Sequence, residues 1–152
     1  MNEKILVPID LAHESSWKSS LPRAFQRLRD SDGVQVTVMT VVPDIFAGLD
    51  WRYAIRGETG GSEEFDSRQL VAEAEEKLQQ IVREYLPEGC EAETLSRYGT
   101  VYQQIIEVAE AISATEIMMA AHRPSLRDYL IGPNTARVVR HAQQTVTVVR
   151  DG

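Results

Sequence analysis

Two short segments late in the chain carry residue types that could bind a phosphate group. Ala120-Ala121-His122-Arg123-Pro124 closes an apolar strand pattern, and Gly132-Pro133-Asn134-Thr135 opens a short helical pattern. Small residues at a strand end let a ligand approach the backbone closely. A helix start presents free N–H groups and the positive end of the helix dipole to an anion. Together the two segments predict a phosphate cradle.

Pro133 weakens this cradle because it has neither an N–H nor a hydroxyl to offer a phosphate. A hydrogen bond to a charged group contributes about 1.5–3 kcal/mol, so its loss lowers affinity roughly tenfold to a hundredfold. Arg123 or Arg127 could offset part of this loss, although an arginine is more often a solvated surface residue. His122 could contact a phosphate, orient the loop or be a structural histidine. Proline at a first helical position also suits an ordinary helix start.

Alternating strand and helix patterns surround these segments and predict how they are positioned. The strand patterns cover residues 5–9, 34–42, about 91–98, 117–121 and 145–149. This alternation predicts an α/β fold with a mostly parallel sheet covered by helices. Ligands of such sheets bind beyond the carboxyl ends of the strands, where the strand order reverses. We expect Asp10, Val41 and Ala120 at that edge.

Asp10 and Val41 each have two interpretations. Asp10 could accept hydrogen bonds from ribose hydroxyls or an adenine donor, or it could cap the first helix, because aspartate is a favoured N-cap. Backbone groups near Val41 could contact the adenine edge, or Val41 could simply end a strand.

Local signals predict where some helices begin. Trp17, Leu21, Ala24, Phe25 and Leu28 share one face of the first helix. Pro22 either kinks this helix or marks its first turn. A second helix is predicted from about Asp66, and Thr100 with Gln103 predicts a capping box at the third. The long connection over residues 44–62 is typical of a functional lid or a partly disordered segment.

Length, charge and cysteine content narrow the class of protein. The 152 residues predict a single domain, 1–152, with a full core. The net charge of −7 argues against general nucleic-acid binding, and no apolar run reaches the ~18 residues of a membrane span. Cys90 is the single cysteine. With no signal-peptide pattern at the start, it leads us to expect a cytoplasmic protein.

The ordered set of these residues resembles the universal stress protein family over essentially the whole chain. Ile5-Leu6-Val7-Pro8-Ile9-Asp10 is similar to the family's opening strand and its aspartate. Residues 38–43 resemble the strand whose end lines the adenine pocket, and Gly99 fits the start of the third helix. Ala121-His122-Arg123-Pro124 and the residues after it look like the branch of small, single-domain bacterial members with a His-Arg-Pro loop.

The resemblance implies a five-stranded parallel, Rossmann-like fold with helices on both faces, of the adenine nucleotide alpha hydrolase type. It also implies binding of ATP, ADP or AMP, with Mg²⁺ carried by the nucleotide. The implied binding residues are Pro8, Ile9, Asp10, Val41, Met119, Ala120, His122, Arg123, Gly132, Pro133, Asn134 and Thr135.

The chain departs from the family's phosphate-binding pattern, which is a Gly, two residues, a Gly, nine residues, a Gly and then Ser or Thr. Ala120 and Arg123 stand near the first two glycine positions, and the spacer to Gly132 is one residue shorter. Gly132 keeps the last glycine, and Pro133 replaces the Ser or Thr. We therefore expect a weakened nucleotide site.

The last strand pattern predicts contact with a second copy of the chain. An unprotected apolar sheet edge invites pairing with another chain, and the family resemblance implies that this strand meets its twin in a homodimer. The expected contact residues are Thr145, Val146, Thr147, Val148 and Val149.

Three functions remain open at this point. The first is a stress-response module that binds, or formerly bound, a nucleotide and signals by conformation to an unknown partner. The second is an interaction protein without a nucleotide, which Pro133 favours. The third is an enzyme, either a slow ATPase or a protein that accepts a phosphoryl group on Asp10. Such acceptors need clustered acidic residues around a metal, and Asp10 is followed by Leu11.

Overall fold

The computed structural model describes residues 2–43, 67–121 and 133–150. Strands and helices alternate through these residues, with a 3₁₀ turn at Glu14–Ser16. None of the helices described has the length and apolar character that crossing a membrane requires. The elements in chain order are β1 Glu3–Ile9, α1 Ser20–Asp30, β2 Val34–Pro43, α2 Ser67–Tyr85, β3 Glu93–Gly99, α3 Val101–Ala111, β4 Glu116–Ala120, α4 Pro133–His141 and β5 Thr145–Val149.

The strands form one parallel sheet in the order β3-β2-β1-β4-β5. The chain adds β2 and β3 on one side of β1, then crosses back to add β4 and β5 on the other. Because parallel crossovers are right-handed, this reversal places α1 and α2 on one face and α3 and α4 on the other. The predicted α/β fold is confirmed, and the more polar β3 lies at an edge, as its sequence predicts.

The central strands are buried on both faces, which explains their nearly continuous apolar character. Ile5 and Val7 of β1 pack toward α1 and α2, where Phe25 is 1% exposed. Leu6 faces the opposite side and packs with Ile105 of α3. Burying each such side chain contributes about 1.5–3 kcal/mol, so the sheet is held from both sides.

Two predicted helix starts are resolved by the structure. α1 begins at Ser20, so Pro22 lies in the first turn and does not kink the helix. Trp17 precedes α1, although it still packs against the core. Thr100 is the N-cap of α3, but its side chain makes no capping hydrogen bond, so the predicted capping box is wrong. Thr100 is exposed, and water can satisfy the first N–H groups of the helix.

Arg27 ties α1 to the amino ends of β1 and β4. Its Nη1 donates to Glu116 Oε1 of β4 at 2.6 Å, and its Nη2 donates to Glu3 Oε2 of β1 at 2.7 Å. Thr147 of β5 donates to the other Glu116 oxygen at 2.8 Å. The hydrogen bond to Glu116 raises the pKa of the Arg27 guanidinium, against the opposing effect of burial. The amino edge of the sheet is thereby fixed.

Replacing Arg27→Ala should lower the free energy of unfolding by about 1–2 kcal/mol. The substitution leaves the Glu116 side chain, 13% exposed, without its guanidinium. Breaking a fully buried pair costs about 3–5 kcal/mol, and solvent screening at the partly exposed Arg27 reduces this. Arg29→Ala is the matched control, because its pair with Asp30 is exposed. It should change stability by less than about 0.5 kcal/mol. Urea denaturation measures the free energy of unfolding of both variants. If Arg27→Ala and Arg29→Ala lose the same stability, the contact of Arg27 with Glu116 does not stabilise the fold.

Candidate functional site

The ladder of paired residues between the central strand β1 and β4 stops before the carboxyl ends of these strands. β1 pairs with β4 at Ile5 with Glu116 and at Leu6 with Ile117. On its other side, β1 stays paired with β2 as far as Ile9. The strand order reverses between β1 and β4, and open α/β sheets bind their ligands in the crevice beyond the carboxyl ends of the strands at such a point.

Pro8 gives the physical reason why the ladder stops. Residues along a strand point their backbone groups alternately toward its two neighbours. The N–H of Thr115, just before β4, donates to the Lys4 carbonyl at 2.8 Å, so the even-numbered residues of β1 face β4. Pro8 is the next such residue after Leu6, and proline has no N–H to continue the ladder.

The two walls of the crevice keep their own hydrogen bonds to the strand ends. The buried Thr40 of β2 donates from Oγ1 to the Ile9 carbonyl at 2.9 Å. On the other wall, the N–H of Ala121 donates to the Val149 carbonyl at 2.8 Å. The sheet is thus paired to the strand ends on both sides, and the ladder stops early between β1 and β4.

Asp10 is held at the mouth of the crevice by a tight turn. Its Oδ1 accepts the N–H of Ala12 at 2.9 Å. Ser16 Oγ accepts the Asp10 N–H at 2.7 Å and donates to the Asp10 carbonyl at 3.0 Å. The N–H of His13 also donates to that carbonyl, at 2.9 Å. These bonds fix the direction of the carboxylate, which is the geometry of an Asx turn.

The interpretation of Asp10 as the N-cap of the first helix is wrong. The N-cap position of α1 is Ser19, because the 3₁₀ turn Glu14–Ser16 lies between Asp10 and the helix. The Asp10 carboxylate caps its own turn instead. Its side chain is 36% exposed, so a ligand in the crevice can reach it.

His13 joins Asp10 at this mouth, which the sequence reasoning missed. Its Nε2 lies 3.8 Å from Asp10 Oδ2, and its side chain is 44% exposed. The 3₁₀ turn that follows His13 lies against β4, so the turn spans the crevice. An Asp and a His three residues apart around a tight turn could have signalled this pair.

The other predicted residues of the strand ends are placed by the sheet. Pro8 and Ile9 are buried in β1. The side chains of Val41 and Met119, 3% and 7% exposed, pack into the core beneath α3 and α4. Only the backbone of these two residues is suited to contact a ligand. Ala120 is partly exposed at the end of β4.

α4 begins at Pro133, as the sequence predicts, and runs back from the carboxyl edge of the sheet. Asn134 is partly exposed, whereas Thr135 is 4% exposed. The Arg137 guanidinium lies 5.2 Å from the centre of the Tyr102 ring, which helps to fix α4 against α3. The predicted residues His122, Arg123, Arg127 and Gly132, with the connection 44–62, lie outside the described residues and remain predictions.

A separate cavity of about 760 Å³ opens at the opposite, amino edge of the sheet. Its lining includes Lys4, Gln35, Cys90, Glu93 and Ser113. Although it is large, strand order does not direct ligands to this edge. Within residues 2–43, 67–121 and 133–150, no group of three His, Cys, Asp or Glu side chains could hold a metal ion. We therefore take the crevice at the carboxyl edge as the candidate site.

Ser16→Ala should lower the free energy of unfolding by about 1 kcal/mol. The substitution removes both hydrogen bonds of Ser16 Oγ to the backbone of Asp10, and each such bond is worth about 0.5–1.5 kcal/mol. Ser15→Ala, in the same 3₁₀ turn, is the matched control and should stay within about 0.5 kcal/mol of wild type. Urea denaturation measures both. If Ser15→Ala lowers the free energy of unfolding as much as Ser16→Ala does, the hydrogen bonds of Ser16 to Asp10 do not stabilise the turn.

Comparison with known proteins bears on the fold and the family. The model of the universal stress protein family matches residues 1–150. Universal stress protein G of Escherichia coli O157:H7 is 29% identical over 99% of this chain and 100% of its own length. The family match therefore spans every strand and helix described above.

Two solved structures share the fold. The family protein from Arabidopsis thaliana with AMP bound has a TM-score of 0.62 at 15% identity, over 99% of this chain and 92% of its own. The protein from Archaeoglobus fulgidus in complex with dAMP has a TM-score of 0.56 at 18% identity, over 97% of each chain. The extent of the family match and the agreement of the fold lead to one conclusion: this chain belongs to the universal stress protein family.

Proposed function

We propose that this chain binds an adenine nucleotide in the crevice between β1 and β4. In this proposal it is a cytoplasmic stress-response module that signals through conformation and dimerisation. The observation that carries the proposal is the Asp10 carboxylate, fixed by its turn and exposed at the point where the strand order reverses. AMP and dAMP in the structures of two proteins with the same fold support the choice of ligand.

The adenosine end of the ligand would meet β1 and β2. The Asp10 carboxylate would accept a hydrogen bond from a ribose hydroxyl or from the adenine amino group. Backbone groups at Ile9 and Val41 would lie against the base, since their side chains are buried. The nucleoside would fit beyond the carboxyl ends of β1 and β4.

The phosphate end would meet the start of α4. The helix dipole and the first N–H groups of α4 favour an anion there, and Asn134 and Thr135 add side-chain donors. We propose Arg123, His122 and Gly132 as further contacts of the phosphates. Mg²⁺ would arrive with the nucleotide and be bound by its phosphates.

A second candidate function is that of an interaction protein without a nucleotide, and Pro133 favours it. Proline at the first position of α4 removes an N–H where a phosphate would need one, as well as the hydroxyl of the family pattern. In that case the crevice no longer binds a nucleotide, and partners bind the outer surface of the protein or its dimer.

Calorimetric titration with Mg·ATP decides between these two functions. We expect wild type to bind weakly, and Pro133→Ser to bind roughly tenfold to a hundredfold more tightly because one charged hydrogen bond is restored. Asp10→Asn should weaken the binding of Mg·ATP in both wild type and Pro133→Ser. Binding by Pro133→Ser alone would favour the interaction protein. No heat from either protein at millimolar ATP would overturn the nucleotide site.

We also propose that β5 pairs with β5 of a second copy of the chain in a homodimer. β5 lies at the sheet edge, and Val146 and Val148 are only partly buried there. The bond from Ala121 to the Val149 carbonyl shows that the odd-numbered residues of β5 face β4. By alternation, the N–H groups of Val146 and Val148 face outward and are available to another strand.

Light scattering should give a mass near twice 17.1 kDa for wild type at micromolar concentration. Val148→Pro should shift the mass toward that of one chain, because it removes an outward N–H and leaves the bonds to β4 in place. Val148→Thr keeps this N–H and should remain dimeric. A monomeric wild type, or a Val148→Pro variant that stays dimeric, contradicts pairing through β5.

A further inference from the structure

We propose that His13 and Asp10 together bind one ribose hydroxyl and make the site selective for ribonucleotides over deoxyribonucleotides. This inference rests on the proposed nucleotide site and adds a specificity-determining residue to it. It is carried by the geometry of the turn that follows β1, all of which lies among the described residues.

The distance between the two side chains suits a bridging hydroxyl. His13 Nε2 lies 3.8 Å from Asp10 Oδ2, which is too long for a direct hydrogen bond. For an oxygen placed about 2.8 Å from both atoms, the angle at that oxygen between Asp10 Oδ2 and His13 Nε2 is about 85°, which a hydroxyl can accommodate. The hydroxyl would donate its proton to Asp10 Oδ2 and accept the Nε2–H of His13.

The pair is already held in place for this role. The N–H of Ala12 fixes the other Asp10 oxygen at 2.9 Å. The His13 backbone is fixed on both sides, because its N–H donates to the Asp10 carbonyl and its carbonyl accepts the N–H of Ser16, each at 2.9 Å. Because these hydrogen bonds fix the backbone of the turn, binding would cost little conformational entropy.

Both side chains are also accessible from the crevice. Asp10 is 36% exposed and His13 is 44% exposed, and the turn that carries them lies beside β4. A deoxynucleotide that lacks the bridging hydroxyl would lose this hydrogen bond.

The test is a calorimetric comparison of ATP, 2′-deoxy-ATP and 3′-deoxy-ATP on the full chain. It uses wild type, or the Pro133→Ser background if wild-type affinity falls below the measurable range. We expect one of the two deoxy analogues to bind about tenfold more weakly than ATP, because one hydrogen bond to a charged group is lost. The analogue that loses affinity identifies the hydroxyl that bridges the pair.

Variants of His13 then separate a binding role from a structural one. His13→Ala should bind ATP about tenfold more weakly and discriminate less than threefold against the deoxy analogue. His13→Gln keeps an N–H donor and should restore part of the discrimination. Ser15→Ala, in the same turn, is the control and should behave as wild type.

The outcomes that overturn the inference differ from those that overturn the nucleotide site. Discrimination that persists in His13→Ala, or equal affinity of the starting protein for all three nucleotides, overturns the role of His13 and leaves the nucleotide site intact. If no protein in the series binds any of the three, including those in the Pro133→Ser background, the nucleotide site and this inference fail together.

Discussion

A single reversal of the strand order, between β1 and β4, decides where this protein has its candidate site. The ladder between these strands forms at Leu6 with Ile117 and cannot gain its next bond at Pro8, which has no N–H. The two strands still lie side by side. The crevice therefore lies beyond their carboxyl ends, with Asp10 two residues after Pro8.

Side-chain hydrogen bonds fix the strands at the opposite, amino edge of the sheet. Arg27 joins β1 and β4 through Glu3 and Glu116, and Thr147 brings β5 into the same group. Together with the core on both faces, these bonds fix the strands where they pair. A ligand can therefore contact the carboxyl edge without disturbing the interactions that stabilise the fold.

Each of the two prolines near the site removes a backbone donor. Pro8 removes one from the ladder between β1 and β4, whereas Pro133 removes one at the start of α4. In the proposed site, recognition therefore shifts toward the adenosine end, where Asp10 and His13 are held by the same turn. Arg123 and Gly132 would then supply the phosphate contact that Pro133 cannot make at the start of α4. This division gives the nucleoside end more influence on specificity than the phosphate end.

The sequence by itself determined the order of the strands and helices, the start of α4 at Pro133 and the polar edge strand β3. Apolar periodicity and proline act locally, so residues close in sequence are sufficient to read them. The sequence did not reveal the Asp10–His13 pair, the missing cap at Thr100, or the contact of Arg27 with Glu116. The Asp10–His13 pair depends on how a tight turn folds, and the missing cap at Thr100 depends on exposure to water. The third joins residues far apart in sequence, which only tertiary packing brings within hydrogen-bonding distance.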